Sequence, residues 1–152
     1  MASQTVLDVF PNAKIVMTHR DPVSTIPSYC SMEASLYKMT TDKLSHQEIG
    51  AFWIDKLKAW LDNFMQVRAD AASNRFIDVN YKNLIDNPTH EGARVLEAAN
   101  IPMSDHIQNG MEEWIEANRR EHRASHKYCL EDFGLRAEDI RSKYHDYISK
   151  YV

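Results

Sequence analysis

The stretch Ala13-Lys-Ile-Val-Met-Thr-His-Arg-Asp-Pro-Val-Ser-Thr-Ile-Pro-Ser28 changes its chemistry halfway along. Its apolar run, Ile15-Val16-Met17, reads as a short buried strand. The run empties into Thr18-His19-Arg20-Asp21-Pro22, a polar turn with helix-start residues. Ser28 follows Arg20 by eight positions, about two helical turns. A guanidinium at a strand's carboxyl end, beside a helix that opens with Asp and Pro, can grip a phosphate from two sides. Arg brings a planar fork of donors, and the helix start brings backbone N–H groups and the positive end of its dipole. The crevice outside strand carboxyl ends is also where open α/β sheets take their ligands. The plainer alternative is a strand, a turn and a helix with a surface Arg. Two starts compete for that helix. If Asp21 caps it, Pro27 falls too deep and removes a backbone bond; if Ser24 caps it, Pro27 lies in the first turn. The expectation is a loose start that becomes regular near Pro27, with Ser28 close to the helix beginning.

Length and composition bound the rest. A chain of 152 residues is one domain, residues 1–152, and a domain of that size buries about 68–70% of its unfolded surface. The hydrophobic share of 43% and charged share of 26% suit a soluble globular chain. A net charge of −4 leaves no footprint for nucleic acid or an anionic membrane, so an anion site here is local. No apolar run approaches the roughly 20 residues that span a bilayer, and nothing after Met1 resembles a signal peptide. The expected location is the cytoplasm. Cys30 and Cys129 are too few and too distant for a disulfide framework or a zinc site, and are expected as reduced thiols.

Further along, Val6 to Phe10 look like the end of a helix feeding the first strand. Ser45-His-Gln-Glu48 has capping-box spacing, and a long helix follows to about Ala72. Its stripe of Ile49, Phe52, Trp53, Leu57, Trp60, Leu61, Phe64 and Val67 runs at helical spacing and reads as core. Arg75 to Asn80 forms a second strand. Asn87-Pro88-Thr89 starts a helix to about Asn100, and Ser104 caps another with Ile107, Met111, Trp114 and Ile115 on one face. A basic segment, Arg119 to Lys127, precedes a break at Gly134. One last helix is expected to bury Ile140, Tyr144, Tyr147, Ile148 and Tyr151. The class is α/β, two parallel strands with five or six helices.

Three ordered segments resemble the sulfotransferases that use 3'-phosphoadenosine 5'-phosphosulfate (PAPS). Arg20-Asp-Pro22 with Ser28 matches their 3'-phosphate region. Phe76-Ile-Asp-Val-Asn-Tyr-Lys-Asn-Leu-Ile-Asp-Asn-Pro88 is similar to their "strand, Tyr-Glu-Asp-Leu, Asp-Pro" element, with Lys82 and Asn83 where acids are usual. His126-Lys-Tyr-Cys-Leu-Glu-Asp-Phe-Gly-Leu135 resembles the tail of a bacterial-type branch. The resemblance implies a partial P-loop-kinase-like fold and sulfuryl transfer from PAPS to a hydroxyl or amine of a small-molecule acceptor. It places the 3'-phosphate on Arg20 and Ser28 and the adenine beside Tyr81, whose other reading is a half-buried packing Tyr. Among the basic residues Arg119, Arg120, Arg123, His126 and Lys127, it singles out Arg123 and Lys127 as closing over the same phosphate. Trp53 and Trp60 then become either core or the wall of an acceptor pocket.

The resemblance covers only the C-terminal part of such an enzyme. Relatives open with a strand, a Gly/Ser/Thr-rich loop bearing a Lys, and a helix, which together hold the 5'-phosphosulfate. Gly50, Gly92, Gly110 and Gly134 stand isolated, and none follows a strand with a nearby Lys and Ser or Thr. The expectations are a truncated chain inactive on its own, an unassigned catalytic base, and self-association or a complementing N-terminal segment. A non-catalytic nucleotide-binding or protein-interaction module is the competing reading. Three other patterns fail on their own terms. His19-Arg20-Asp21 lacks the Leu and Asn of a kinase loop. His122 and His126 lack the order of a zinc protease. Asp42, Glu48 and Asp55 are too scattered for a carboxylate pair.

Overall fold

The computed structural model describes residues 2–41, 43–118 and 128–152. Helix α1 (Ala2–Val9) leads into strand β1 (Ile15–His19), followed by α2 (Pro22–Tyr37) and the long α3 (His46–Asp70). A 3₁₀ turn (Ser73–Arg75) opens β2 (Phe76–Asn80), and then come α4 (Tyr81–Asp86), α5 (Pro88–Ala98) and α6 (Asp105–Ala117). A second 3₁₀ turn (Glu131–Phe133) precedes α7 (Ala137–Lys143) and α8 (His145–Tyr151). The described residues thus hold eight α-helices and one sheet, in which β1 and β2 run parallel. Two of the extra helices come from breaks. Tyr81–Asp86 forms its own short helix before Asn87, and the expected last helix breaks at Tyr144, whose φ of −105° and ψ of 15° end α7.

Side chains at the strand entrances set the register. Arg75 donates from Nε to the Ala13 carbonyl at 2.7 Å and from Nη2 to that of Phe10 at 2.8 Å. Lys14 donates to the Asn74 carbonyl at 2.5 Å. With those ends tied, Ile15 pairs with Phe76 and the ladder runs in step to His19 and Asn80. Both strands therefore finish at the same level, and Arg20 and Tyr81 leave the sheet side by side. β2 is buried on both faces at Phe76, Ile77 and Val79, whereas β1 exposes Val16 and Thr18 and is buried only at His19. The buried strand expected at Ile15–Met17 is therefore half open, because among the described residues no element lies over the Val16 face.

The core lies between α2 and α3, closed by the second 3₁₀ turn and α7. It contains Ile26, Cys30, Ala34, Ile49, Trp53, Phe133, Leu135, Ile140 and Tyr144. Several helix starts carry a side-chain cap. Ser45 and Glu48 form a reciprocal capping box, with the Ser45 N–H donating to Glu48 at 2.8 Å and the Glu48 N–H to the Ser45 hydroxyl at 3.2 Å. Asn80, Asn87 and Ser104 cap α4, α5 and α6. Only part of the α3 stripe is core. Ile49 and Trp53 are buried and Leu57 and Leu61 pack on them, but Phe52 and Trp60 are half exposed. Phe52 lies on the solvent side of a turn whose Ile49, Gly50 and Trp53 are buried; for Trp60 the reason is length, since α2 spans about 24 Å and α3 about 38 Å, so α2 cannot cover its partner throughout. The buried Trp53 indole N–H has no hydrogen-bond partner.

Both cysteines are free thiols, Cys30 buried and Cys129 exposed. Burial pushes the Cys30 thiol up to about 11, so it stays protonated and packs as a small apolar group. Among the described residues no helix is long and apolar enough to cross a membrane.

Candidate functional site at the carboxyl ends of the strands

Arg20 is the first residue beyond β1, and Tyr81 the first beyond β2. The parallel, in-step register brings them together, with the guanidinium carbon 4.5 Å from the centroid of the Tyr81 ring. This is cation–π distance, and it fixes the plane of the fork without using its N–H donors. No hydrogen bond or ion pair to the Arg20 guanidinium occurs among the described residues. The same holds for the Ser28 hydroxyl. Ser28 sits half-buried in the second turn of α2, about 9 Å along the axis from its first residue.

The start of α2 differs from the loose one expected. Asp21 caps it outright, accepting from the Val23 N–H at 2.9 Å, with Pro22 in the first helical position. The Ser24 and Thr25 N–H groups donate to the Asp21 carbonyl, both at 3.0 Å. A carboxylate at the positive end of the dipole together with Pro at the first position outweighs the bond that Pro27 removes. Two things follow. Ser28 lies well inside a regular helix, and the first-turn N–H groups are spent on Asp21. The unspent donors here are side chains, the Arg20 guanidinium and the Ser28 hydroxyl. Arg123 and Lys127, with Arg119, Arg120, His122 and His126, lie outside the described residues.

A partly buried polar network centred on His19 stands beside Arg20, and the sequence reading missed it. His19 is only 2% exposed. Its Nε2 lies 2.6 Å from Asp78 Oδ1, and its Nδ1 lies 3.0 Å from the Tyr147 hydroxyl. An ionised carboxylate only accepts, so Nε2 carries a hydrogen and donates it to Asp78. Arg68, from the end of α3, grips Asp78 with two nitrogens at 2.5 and 2.6 Å. Tyr151 stacks on the His19 ring at 4.5 Å, 6° from parallel, and Arg68 lies over Tyr151 at 5.0 Å. Burial pushes the Tyr147 hydroxyl up to about 12, so it remains a donor at neutral pH. On the other side of β2, Arg94 donates to the Asp78 carbonyl at 2.5 Å while paired with the buried Glu91 at 2.6 Å. One signal for the network was available: Asp78 breaks an otherwise apolar strand, and His19 falls on the alternation of Ile15 and Met17.

The Arg68 fork, helped by His19, holds the Asp78 carboxyl down to about 2, against the cost of its partial burial. A depressed carboxylate stabilises the fold above its unfolded value, about 3.9. That stabilisation fades as pH falls through the folded value. Asp78→Asn should therefore flatten the acid-unfolding limb between about pH 4 and pH 2 and lower stability at neutral pH. Circular dichroism along an acid titration checks this, and an unchanged limb would contradict the role given to Asp78.

The site thus lies at the strand ends of an α/β protein, with an uncommitted guanidinium over an aromatic ring. A family model described as "Sulfotransferase family" matches residues 1–105, and the chain belongs to that family. Two crystal structures share its fold. The sulfotransferase STF9 from Mycobacterium avium superposes with a TM-score of 0.87 at 22% identity, over 99% of this chain and 39% of its own. The sulfotransferase STF1 from Mycobacterium tuberculosis H37Rv gives 0.80 at 26% identity, over 95% of this chain and 36% of its own. The chain therefore spans less than two fifths of either structure's length. Among curated proteins no match is found.

Proposed function

We propose that this chain supplies the 3'-phosphate and adenosine part of a PAPS-dependent sulfotransferase site. The whole reaction would move a sulfuryl group from PAPS to a hydroxyl or amine of a small-molecule acceptor. The observation that carries the reading is the uncommitted Arg20 guanidinium, held by Tyr81 at the level where both strands end. Bound PAPS supplies the sulfuryl group and a bisphosphate leaving group; the chain's residues bind and orient. Arg20 gives a fork matched to phosphate oxygens, Ser28 a hydroxyl donor, and Tyr81 a flat face and a hydroxyl for the purine edge. Arg123 and Lys127 are proposed as further cations for the same phosphate. The donors fit the group in kind: cationic and hydroxylic, with no carboxylate partner already on Arg20.

A cytoplasmic location suits a nucleotide co-substrate. Each strand of the described sheet keeps one edge unpaired, which is why self-association or pairing with a complementing N-terminal segment belongs to this proposal. The catalytic base is not assigned to a residue of this chain. Losing one donor at a developing charge typically slows an enzyme about 10²- to 10³-fold, and this chain offers no evident Gly-rich loop with a Lys to fill that role. The expected result is that the 152-residue chain binds adenosine 3',5'-bisphosphate weakly and leaves PAPS intact with phenols, steroids and sugars. Activity should appear only when an N-terminal segment is supplied. Sulfuryl transfer by the chain alone would place the catalytic groups within it and overturn this division of labour.

A further inference from the structure

We propose that two copies of this chain pair through the open edge of β1, joining their sheets into one of four strands across a two-fold axis. The inference rests on the self-association named in the proposal above and is independent of its nucleotide part.

The two edges of the sheet are unequal. On the β2 side, Arg94 donates to the Asp78 carbonyl at 2.5 Å, and α5, which carries Arg94, packs on that strand. The buried Glu91 holds the same guanidinium at 2.6 Å. A strand arriving there has to break that grip. On the β1 side, among the described residues, the backbone of Ile15–His19 makes no hydrogen bond beyond its ladder with β2. The charged and proline residues that usually guard an edge are missing from this strand or engaged elsewhere. Its sequence, Ile-Val-Met-Thr-His, holds no Pro and no Lys, Arg, Asp or Glu. Lys14 is spent on the Asn74 carbonyl, and Arg20 lies over the Tyr81 ring. Val16 is 48% exposed, on the same open face as Thr18.

The strand is also its own complement. Antiparallel pairing centred on Met17 matches all five residues. Val16 then faces the second copy's Thr18, Ile15 faces its His19, and Met17 faces Met17. The Val–Thr pairs are β-branched on both sides, and no like charges meet. With the β2 edge blocked, each chain has one open edge, so a two-fold pair uses both and the assembly closes at two copies.

Sedimentation velocity over a concentration series tests this on the full chain, Val16→Lys and Leu36→Lys. Val16→Lys puts an ammonium on the open strand twice per dimer. Leu36, 51% exposed on α2 in line with the exposed Met32, marks the competing apolar surface. The parent should follow a monomer–dimer equilibrium. Val16→Lys should raise its dissociation constant about tenfold or more, and Leu36→Lys should match the parent. A parent that stays monomeric at every concentration, or that grows past two copies, overturns the inference. A parent-like dimer in Val16→Lys overturns it too, as does a dimer lost only in Leu36→Lys. If Val16→Lys does not fold, Met17→Cys in a Cys129→Ser background tests the same pairing, Cys30 being buried. Facing residues lie about 4.5–5.5 Å apart at Cα, within disulfide reach. Oxidation should then yield a covalent dimer, and its absence overturns the inference. Arg20 and Tyr81 are untouched in Val16→Lys, so its affinity for adenosine 3',5'-bisphosphate should match the parent's. A parent that dimerises as expected yet does not bind this nucleotide removes the nucleotide reading and upholds the dimer.

Discussion

Arg20→Ala is expected to weaken binding of adenosine 3',5'-bisphosphate by about 2–4 kcal/mol, roughly 30- to 1,000-fold. The size follows from what the side chain has left to give. Its guanidinium is spent on no carboxylate or carbonyl among the described residues, and the Tyr81 ring, 4.5 Å away, fixes its plane. The charge-assisted bonds made to a phosphate are therefore gained in full on binding, with no internal ion pair to break. The first turn of α2 cannot substitute, because its N–H groups already bond to Asp21. Arg20→Lys should recover only part of the loss, since an ammonium keeps the charge and loses the fork. Titration calorimetry measures all three proteins, and equal affinity in Arg20→Ala and the parent would remove Arg20 from the site.

The largest effect on stability is expected from Gly50→Ala. A Cβ at Gly50 would stand 2.1 Å from the Phe133 carbonyl oxygen and 3.0 Å from Phe133 Cβ. The turn that carries this carbonyl cannot retreat easily. The Phe133 and Leu135 N–H groups both donate to the Leu130 carbonyl at 3.0 Å. Gly134 follows in the left-handed region at φ 64°, and the Phe133 ring is buried in the core. Overpacking against fixed backbone should cost about 3 kcal/mol or more. For a domain of this size that is a fall of about 6–12 °C in melting temperature. The consequence reaches the site, since α3 is the helix that both meets this turn and delivers Arg68 to Asp78. A melting temperature within about 2 °C of the parent would show that the turn yields.

These two cases mark where the sequence was legible. Features set by neighbours in the chain could be read directly. The strand ending at His19-Arg20, the Ser45–Glu48 capping box, the Asn87 and Ser104 starts and the stop at Gly134 each depend on residues within a few positions. The parallel pairing followed from two short apolar strands separated by helices. The start of α2 was misjudged because Pro27 weighs locally as a helix breaker, while the Asp21 cap and Pro22 together outweigh it. The network behind Arg20 was illegible for a different reason. His19, Arg68, Asp78 and Tyr147 lie on four separate elements, and each reads locally as something plainer: part of a turn, a helix-end cation, a strand polar residue, a core Tyr. Only the fold shows that one buried imidazole joins them. The break at Tyr144 had the same origin, since it turns Tyr147 and Tyr151 toward the sheet end rather than the core.

The proposed site for a 3'-phosphorylated adenosine nucleotide lies at the ends of the two parallel strands, where Arg20 and Tyr81 meet. Calorimetric titration of the parent chain with adenosine 3',5'-bisphosphate and, separately, adenosine 5'-monophosphate tests it most directly. The predicted result is at least about tenfold tighter binding of the bisphosphate, as one set of charge-assisted phosphate bonds would give. Equal affinity for the two nucleotides, or binding of neither, would contradict it.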